Sequence, residues 1–459
     1  MVTLVMTERL AAELVELAKQ DEETAGVLLA RVVETPDNAL RLLAREIHWV
    51  PKNAYLLRQA MALKIASDGY VPALAVAEAT ETIPIWLHTH PGEGISPRPS
   101  QLDAHVDQQL SELFQLRSGN QFYGAVIVAQ AAGQLRFTGH LESDSQRLLI
   151  DRFWITGRRF TLSLNVNRQA DPLPELFGRN IKAFGDDIQR VLGEIRVAIV
   201  GCGGTSSAVA EQLVRLGVRH FSLIDPDTLT ASNLTRVYGA FPHDVGRPKV
   251  EVTAAHLRKI APEAEVVTVV SAITVEKTAK TLLEADLVFG CTDDNAGRLV
   301  LSRVATYLLT PVIDCGVILT SDQDGRLDGI YGRVTVLSSG EACLVCRNRI
   351  DLARASAEML TLHERSRLTE EGYAPVLPGV EPAVVAYTTE VAAAAVGELL
   401  ERLIHYGPIP VPSEILLRMH DREISTNEAQ PRHRHYCHPD SGKLGLGVTQ
   451  LFLEQTWPA

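Results

Sequence analysis

"RVAIVGCGGTSSAVAEQLVRLGVRHFSLIDPD", residues 196–227, decides the fold. A short apolar run meets a glycine-rich turn, a helical stretch follows, and a second apolar run stops at Asp225. That order reads as buried strand, tight turn, helix and buried strand, the opening unit of a doubly wound α/β sheet. Strand patterns continue in "ADLVFGCTDDN" (285–295) and "TPVIDCGVIL" (310–319), so the second half of the chain is expected to be a Rossmann-like domain.

Upstream the character differs. The first 150 residues mix a helical pattern, "ERLAAELVELAKQ", with short apolar runs such as "AGVLLARVV" and "YGAVIVAQ", which predicts a compact α+β domain. The stretch "TGRRFTLSLNVNRQADPLPELFG" loses clean periodicity and gains Pro, Asn and Gly, as a connection would. The expected layout is therefore an α+β domain over 1–155, a linker over 156–178, an α/β domain over 179–440 and a tail over 441–459. A chain of 459 residues has room for two or three such domains.

The net charge of -12, with scattered Lys and Arg, argues against a nucleic-acid or anionic-membrane surface. No stretch resembles a signal peptide or a membrane span, which suggests a cytoplasmic protein. In a reducing compartment six cysteines do not suggest a disulfide framework, and "CLVC" (343–346) is better tested as a metal-ligand pair.

The first domain carries a second chemical signal, "IWLHTHPGEGISPRPSQLDAHV" (85–106). Alternation along a strand turns His88 and His90 to one side, and Asp103, returned by the following turn, can complete a three-ligand site that leaves a fourth position open. Such openness marks catalytic rather than structural zinc. A general base is still needed, and "DEETAGVLLA" supplies glutamates just before an apolar strand. Together, Glu23 with "TAGVLL", His88, His90, Pro91, Ser100 and Asp103 resemble the JAMM (JAB/MPN) metalloprotease motif. The resemblance implies zinc on His88, His90 and Asp103, proton relay by Glu23 and oxyanion stabilisation by Ser100. Glu22 is the alternative base, although Glu23 has the better spacing to Gly26. His48 and His105 match nothing in the motif and are read as surface or packing residues.

The loop "GCGGTSS" (201–207) lets backbone amides approach phosphate at a helix N-terminus. Asp225 alone would also suit the ribose of a nicotinamide cofactor. The following residues separate the two readings: Asn233, Arg236 and Lys249 can cluster beyond the nucleotide, and Asp293 adds an acid. Hydride transfer has no use for these, whereas splitting a triphosphate needs charge neutralised and Mg²⁺ held. This run, from about 179 to 400, resembles the ThiF/MoeB family, the adenylation domain of ubiquitin-activating enzymes. The resemblance implies ATP bound by Gly201, Gly203, Gly204, Asp225, Asp227 and Asn233, phosphates gripped by Arg236 and Lys249, and Mg²⁺ organised by Asp293. It also implies a homodimer in which Arg179 reaches the partner's site. Arg298 and Gln189 are second-tier candidates for ATP, Ser206 stands where a third glycine is usual, and Cys202, Cys291 and Cys315 are read as packed.

ThiF-like proteins also carry a structural zinc on two CxxC pairs. Here Cys343 and Cys346 form the first, while the second is reduced to Cys437, flanked by His435 and His438; a Cys₃His set closed by His438 is the expectation. No cysteine occurs between Arg347 and Tyr436, so the conventional thioester step lacks its nucleophile, leaving direct release of the acyl-adenylate or a hydroxyl such as Ser356 or Ser366.

The two halves together suggest one prokaryotic ubiquitin-like pathway. One would activate the C-terminal glycine carboxylate of a ubiquitin-like or sulfur-carrier protein for a conjugating partner, and the other would trim or deconjugate that protein. The resemblance extends to antiviral defence operons and to sulfur transfer in cofactor or amino-acid synthesis. The rivals are a NAD-binding oxidoreductase with an accessory metal domain and a non-catalytic scaffold.

Overall fold

Alternation along the strand Val2–Thr7 turns Leu4 and Met6 to one face and the equally buried Val5 to the other, so this segment needs cover on both sides. The computed structural model, which describes residues 1–60, 62–93, 97–131, 133–143, 146–169, 172–360, 362–370 and 382–458, supplies it. The chain divides into two compact units. Unit one comprises Met1–Asp171 with Gly445–Gly447, and unit two Pro172–Leu444 with Val448–Ala459.

The first unit is a nine-stranded sheet in the order Phe160–Leu164, Arg152–Thr156, Val2–Thr7, Leu40–Trp49, Ala25–Glu34, Ile83–Glu93, Tyr123–Ala131, Gln134–Ser143, Gln146–Leu149. The helix Glu8–Ala18 covers one face, its Leu10 and Leu14 packing with Leu28, Leu42, Ile85 and Phe137. Helices Val71–Thr80 and Gln101–Ser118 cover the other through Leu74, Ala77, Leu110 and Phe114. Phe114 is fully buried, with its ring 5.5 to 6.3 Å from those of Tyr70, Trp86 and Tyr123. Truncating such an aromatic anchor to Ala costs about 3–5 kcal/mol.

The expected linker over 156–178 is corrected here. "FTLSL" is a strand of period two, Phe160–Leu164, paired antiparallel to Arg152–Thr156 at the sheet edge, and buried Asn165 donates to the Ile150 carbonyl at 2.8 Å. Its hydroxyl-bearing outer positions hid the alternation, and the boundary moves to 171/172. The expected tail is also structured. Phe452 and Leu453 are buried, and Tyr307 donates to Glu454 at 2.8 Å.

The second unit follows the doubly wound expectation. Its sheet runs Glu265–Val269, His220–Ile224, Arg196–Val200, Leu287–Gly290, Val312–Ser321, Leu327–Leu337, Glu414–Arg418, Glu423–Asn427. The first five strands are parallel and the last three antiparallel additions. Strand order reverses between Arg196–Val200 and Leu287–Gly290. Chains leaving their carboxyl ends diverge to opposite faces, which opens a crevice there. Among the described residues no helix is long and apolar enough to cross a membrane.

Candidate functional site

The crevice at the reversal point is a cleft of about 1220 Å³. Gly201 closes the turn at its base with φ +89°, and a β-carbon there would lie 2.7 Å from the Cys291 carbonyl oxygen, so only glycine fits. Gly203 is the N-cap of the helix Gly204–Leu216 without a side-chain cap, and a β-carbon added to it meets nothing within 4 Å. First-turn amides of a long helix are thus open toward the cleft, as an anion site requires. Ser206, in place of a third glycine, is buried and turns its hydroxyl back to the Gly203 carbonyl at 3.1 Å.

The predicted nucleotide residues converge. Gly201, Gly203, Gly204, Asp225, Asp227, Asn233, Arg236, Lys249 and Asp293 all line this cleft. Asp225 accepts from the backbone N–H groups of Cys202 at 2.6 Å and Asp227 at 2.8 Å, tying the strand end to the glycine turn. Burial raises its carboxyl above the ordinary carboxylate range against these bonds and the nearby Lys249. Lys249 Nζ lies 2.6 Å from Asp227 and 3.9 Å from Asp225. Asn233 caps its own 3-10 turn, accepting from the Thr230 N–H at 3.0 Å, and Arg236 donates to the Ser232 carbonyl at 3.1 Å while its chain runs beside Gly204. Asp293 is exposed on the opposite wall, and its neighbour Asp294 caps the helix Asn295–Tyr307.

Other expected residues separate. Arg298 lines the cleft, but Gln189 does not: it is buried, with its amide donating at 3.0 Å to the Leu216 carbonyl. Gln189 is therefore a packing residue, because its helix, Asp186–Glu194, meets the end of Gly204–Leu216 rather than its start. Arg179 is exposed on the helix Gly178–Phe184 and takes no part in its own chain's cleft. Cys202 and Cys315 are buried, while Cys291 is half-buried in the cleft wall. Ser356 donates to the Leu352 carbonyl at 2.8 Å, Ser366 is exposed, and residues 371–381 of that crossover stretch lie outside the described residues.

A second row of charges along the cleft floor has no counterpart in the sequence motifs. Arg333 Nη2 lies 2.7 Å from Asp314, and Arg349 Nη2 lies 2.8 Å from Glu414. Against burial, Arg349, Asn427 and Thr335 hold the Glu414 carboxyl down at about 2. These partners are separated by 19 and 65 residues, so no local pattern links them.

In the first unit the strand Ile83–Glu93 aims His88 and His90 to the face covered by Gln101–Ser118, whose first turn brings Asp103. His88 Nε2 lies 3.4 Å and His90 Nε2 3.7 Å from the Asp103 carboxylate, and the three donor atoms fall within 4.8 Å of one another. Neither ring nitrogen of buried His88 makes a hydrogen bond. Buried imidazole nitrogens without hydrogen bonds, beside a carboxylate, are a donor set that fits a zinc ion. Burial would raise Asp103, but the two imidazoles hold its carboxyl far below the usual range. Buried Glu23 sits 4.0 Å from His90 Nε2, and desolvation raises it to about 7, with His90 opposing and Asp103 assisting. Ser100 forms a capping box with Asp103: its Oγ accepts the Asp103 N–H at 3.1 Å and its N–H donates to the carboxylate at 2.6 Å. The serine of the pattern thereby fixes the aspartate as well as offering a hydroxyl. Glu22 is held off by Arg58 at 3.7 Å and is half-exposed, which leaves Glu23 as the residue aimed at the site.

The third cluster corrects a ligand. The Nδ1 of His435, not His438, lies among the thiols, at 3.6 Å from Cys343, 3.5 Å from Cys346 and 3.3 Å from Cys437. His438 Nδ1 instead accepts from the Asp440 N–H at 3.2 Å as the cap of a following 3-10 turn. Two residues before Cys437 the chain still runs against the CxxC loop, and one residue after it the turn carries the side chain away. Three buried thiols and one imidazole fit a closed tetrahedral zinc site. A hydrogen bond with Cys437 holds Cys343 down at about 5, while Cys437 is pushed far up.

Similarity to known proteins falls on the second unit. The ThiF family matches residues 177–438. Molybdopterin-synthase adenylyltransferase of Escherichia coli is 32% identical over 172 residues, 37% of this chain and 65% of its own. Ubiquitin-like modifier-activating enzyme 5 of Bombyx mori is 30% identical over 165 residues, 33% of this chain and 40% of its own. The chain thus spans less than two thirds of these relatives. A crystal structure of E. coli MccB with ATP is similar at a TM-score of 0.45 and 18% identity, covering 58% of this chain and 75% of that one. With more than half of its length matched by the family model, the chain belongs to the ThiF family.

Proposed function

We propose that the second unit adenylates the C-terminal carboxylate of a ubiquitin-like or sulfur-carrier protein, using ATP and Mg²⁺. The observation that carries this is that Arg236, Lys249 and Asp293 line one cleft together with the open helix N-terminus at Gly203. A nicotinamide cofactor needs the glycine turn and the acid ending the next strand; two cations and a further acid beyond them suit a triphosphate and its metal. Asp293 would hold Mg²⁺, Arg236 and Lys249 would bind the phosphates, and Asp225 and Asn233 the nucleoside side. Arg179 would serve the cleft of a partner copy in a homodimer, a reading supported only by its exposure outside its own cleft. The test is ATP–pyrophosphate exchange by the purified chain with a panel of ubiquitin-like and sulfur-carrier proteins ending in Gly-Gly. Exchange that depends on one of them is the expected result, and NADH binding without exchange would sink the reading.

The first unit is proposed to be a JAMM-type zinc peptidase acting at the same C-terminus. Its support is the gathering of His88, His90 and Asp103 around His88's unpartnered nitrogens, with Glu23 beside them. Zinc bound there would supply Lewis acidity at the scissile carbonyl. Glu23, poised near neutrality, would take and return the proton, and the Ser100 hydroxyl would face developing negative charge. Cys343, Cys346, His435 and Cys437 would hold a second, structural zinc. Cleavage of a fusion placed after a terminal glycine, lost in Glu23→Gln, separates this peptidase from a scaffold. A partner that supports exchange and is encoded with conjugation components would favour ubiquitin-like modification, including antiviral defence. One that accepts sulfur would favour cofactor or amino-acid synthesis.

A further inference from the structure

Gly316 faces Arg333 across the strand pair Val312–Ser321 and Leu327–Leu337, on the cleft floor. A β-carbon there would sit 3.4 Å from Arg333 Nη2 and 3.7 Å from Arg298 Nη2, so two guanidinium groups from different elements converge over a residue without a side chain. Behind them stands one wholly buried carboxylate, Asp314, 2.7 Å from Arg333 and 3.5 Å from Arg298. Arg333 is steadied further by Thr335 at 2.8 Å, and Glu414, 3.8 Å away, is matched by its own Arg349. The local sum is three guanidiniums against two carboxylates, an excess of one positive charge at an open spot.

Planar guanidinium forks take a carboxylate through paired charge-assisted hydrogen bonds, and a glycine floor leaves it room. The phosphate-binding groups, by contrast, sit at the glycine turn on the other side of the strand-order reversal. From the clamp the same sheet face continues outward through Ile318 and Tyr331, 58% and 40% exposed, an apolar track for an extended tail. We propose that Arg298 and Arg333, converging over Gly316, bind and orient the terminal carboxylate of the protein to be activated. This rests on the adenylation reading. One oxygen of the held carboxylate forms the bond to the α-phosphorus of ATP, the bond to the α,β-bridging oxygen breaks with its electron pair, and pyrophosphate leaves; no proton moves.

The experiment is exchange kinetics with whichever Gly-Gly protein of the panel supports exchange, comparing wild type, Arg333→Gln and Gly316→Val. Loss of a charge-assisted pair should raise the KM for the protein about ten- to hundredfold. The KM for ATP should stay within about twofold. Gly316→Val, which keeps both arginines and fills the space between them, should reproduce the effect, so a folding defect peculiar to Arg333→Gln cannot mimic it. A C-terminally amidated form of the same protein should bind wild type and both variants equally weakly. An unchanged protein KM in Gly316→Val, or equal rises for protein and ATP, overturns the clamp while leaving adenylation intact. Absence of wild-type exchange with every protein of the panel overturns the adenylation reading and the clamp with it.

Discussion

Glu23 Oε1 lies 4.0 Å from His90 Nε2, beyond hydrogen-bonding distance. The carboxyl is near the three-ligand group without belonging to it. Desolvation holds it at about 7 rather than its ordinary 4.5, so it changes charge where a base working at neutral pH should.

Glu23→Gln is expected to lower peptidase turnover by about 10²–10⁴-fold while bound zinc stays at wild-type level. In wild type the rate should rise with pH as Glu23 loses its proton, and bound zinc should draw that transition below the value of about 7 that burial sets in the metal-free site. The sign for stability is opposite. In the metal-free protein the folded state keeps this proton to higher pH than the unfolded chain, so Glu23 favours folding below about 4.5 and that contribution is lost as pH rises to about 7. A rate profile flat across that range would remove Glu23 from the role.

Replacing His435 and His438 separately distinguishes the ligand from its neighbour. His435→Ala should lose one zinc per chain by elemental analysis and melt about 5 °C lower or more, whereas His438→Ala should keep its metal. The reverse pattern would restore the assignment the tail's sequence suggested.

On the adenylation proposal, Asp293→Ala removes the carboxylate assigned to Mg²⁺ and Lys249→Ala a cation assigned to the phosphates, so each should slow pyrophosphate exchange by about 10²–10³-fold. Lys249→Ala should additionally leave Asp225 and Asp227 without their shared cation. Nucleotide affinity measured by calorimetry should accordingly fall further in Lys249→Ala than in Asp293→Ala without Mg²⁺. Equal affinities would place Lys249 outside the nucleotide site.

Gly201→Ala should destabilise the second unit by about 1–3 kcal/mol, since the residue sits at φ +89° with the Cys291 carbonyl 2.7 Å from any β-carbon. Denaturant titration reads this directly, and nucleotide binding should weaken with it. A variant as stable as wild type would mean the turn can open.

Much of this was legible without coordinates. The run 196–227 determined the doubly wound opening because period-two and period-3.6 patterns are local, and the glycines at 201, 203 and 204 announced a close backbone approach. His88 and His90 share a face by strand alternation alone, and Asp103 followed by its spacing. Where local rules compete, tertiary context decided. The strand Phe160–Leu164 was masked by its polar outer residues, and it closes the sheet edge on Arg152–Thr156, whose own inner partner, Val2–Thr7, is remote in sequence. His435 and His438 are equivalent in composition; only the direction of the chain around Cys437 makes one a thiol neighbour and the other a cap. Gln189 and Arg298 likewise looked alike as polar residues on helices, until the packing of each helix buried one against the end of Gly204–Leu216 and turned the other into the cleft. The row Arg298, Asp314, Arg333, Glu414, Arg349 has no sequence signature at all, because charge pairing across strands depends on distance in space, which register and strand order set.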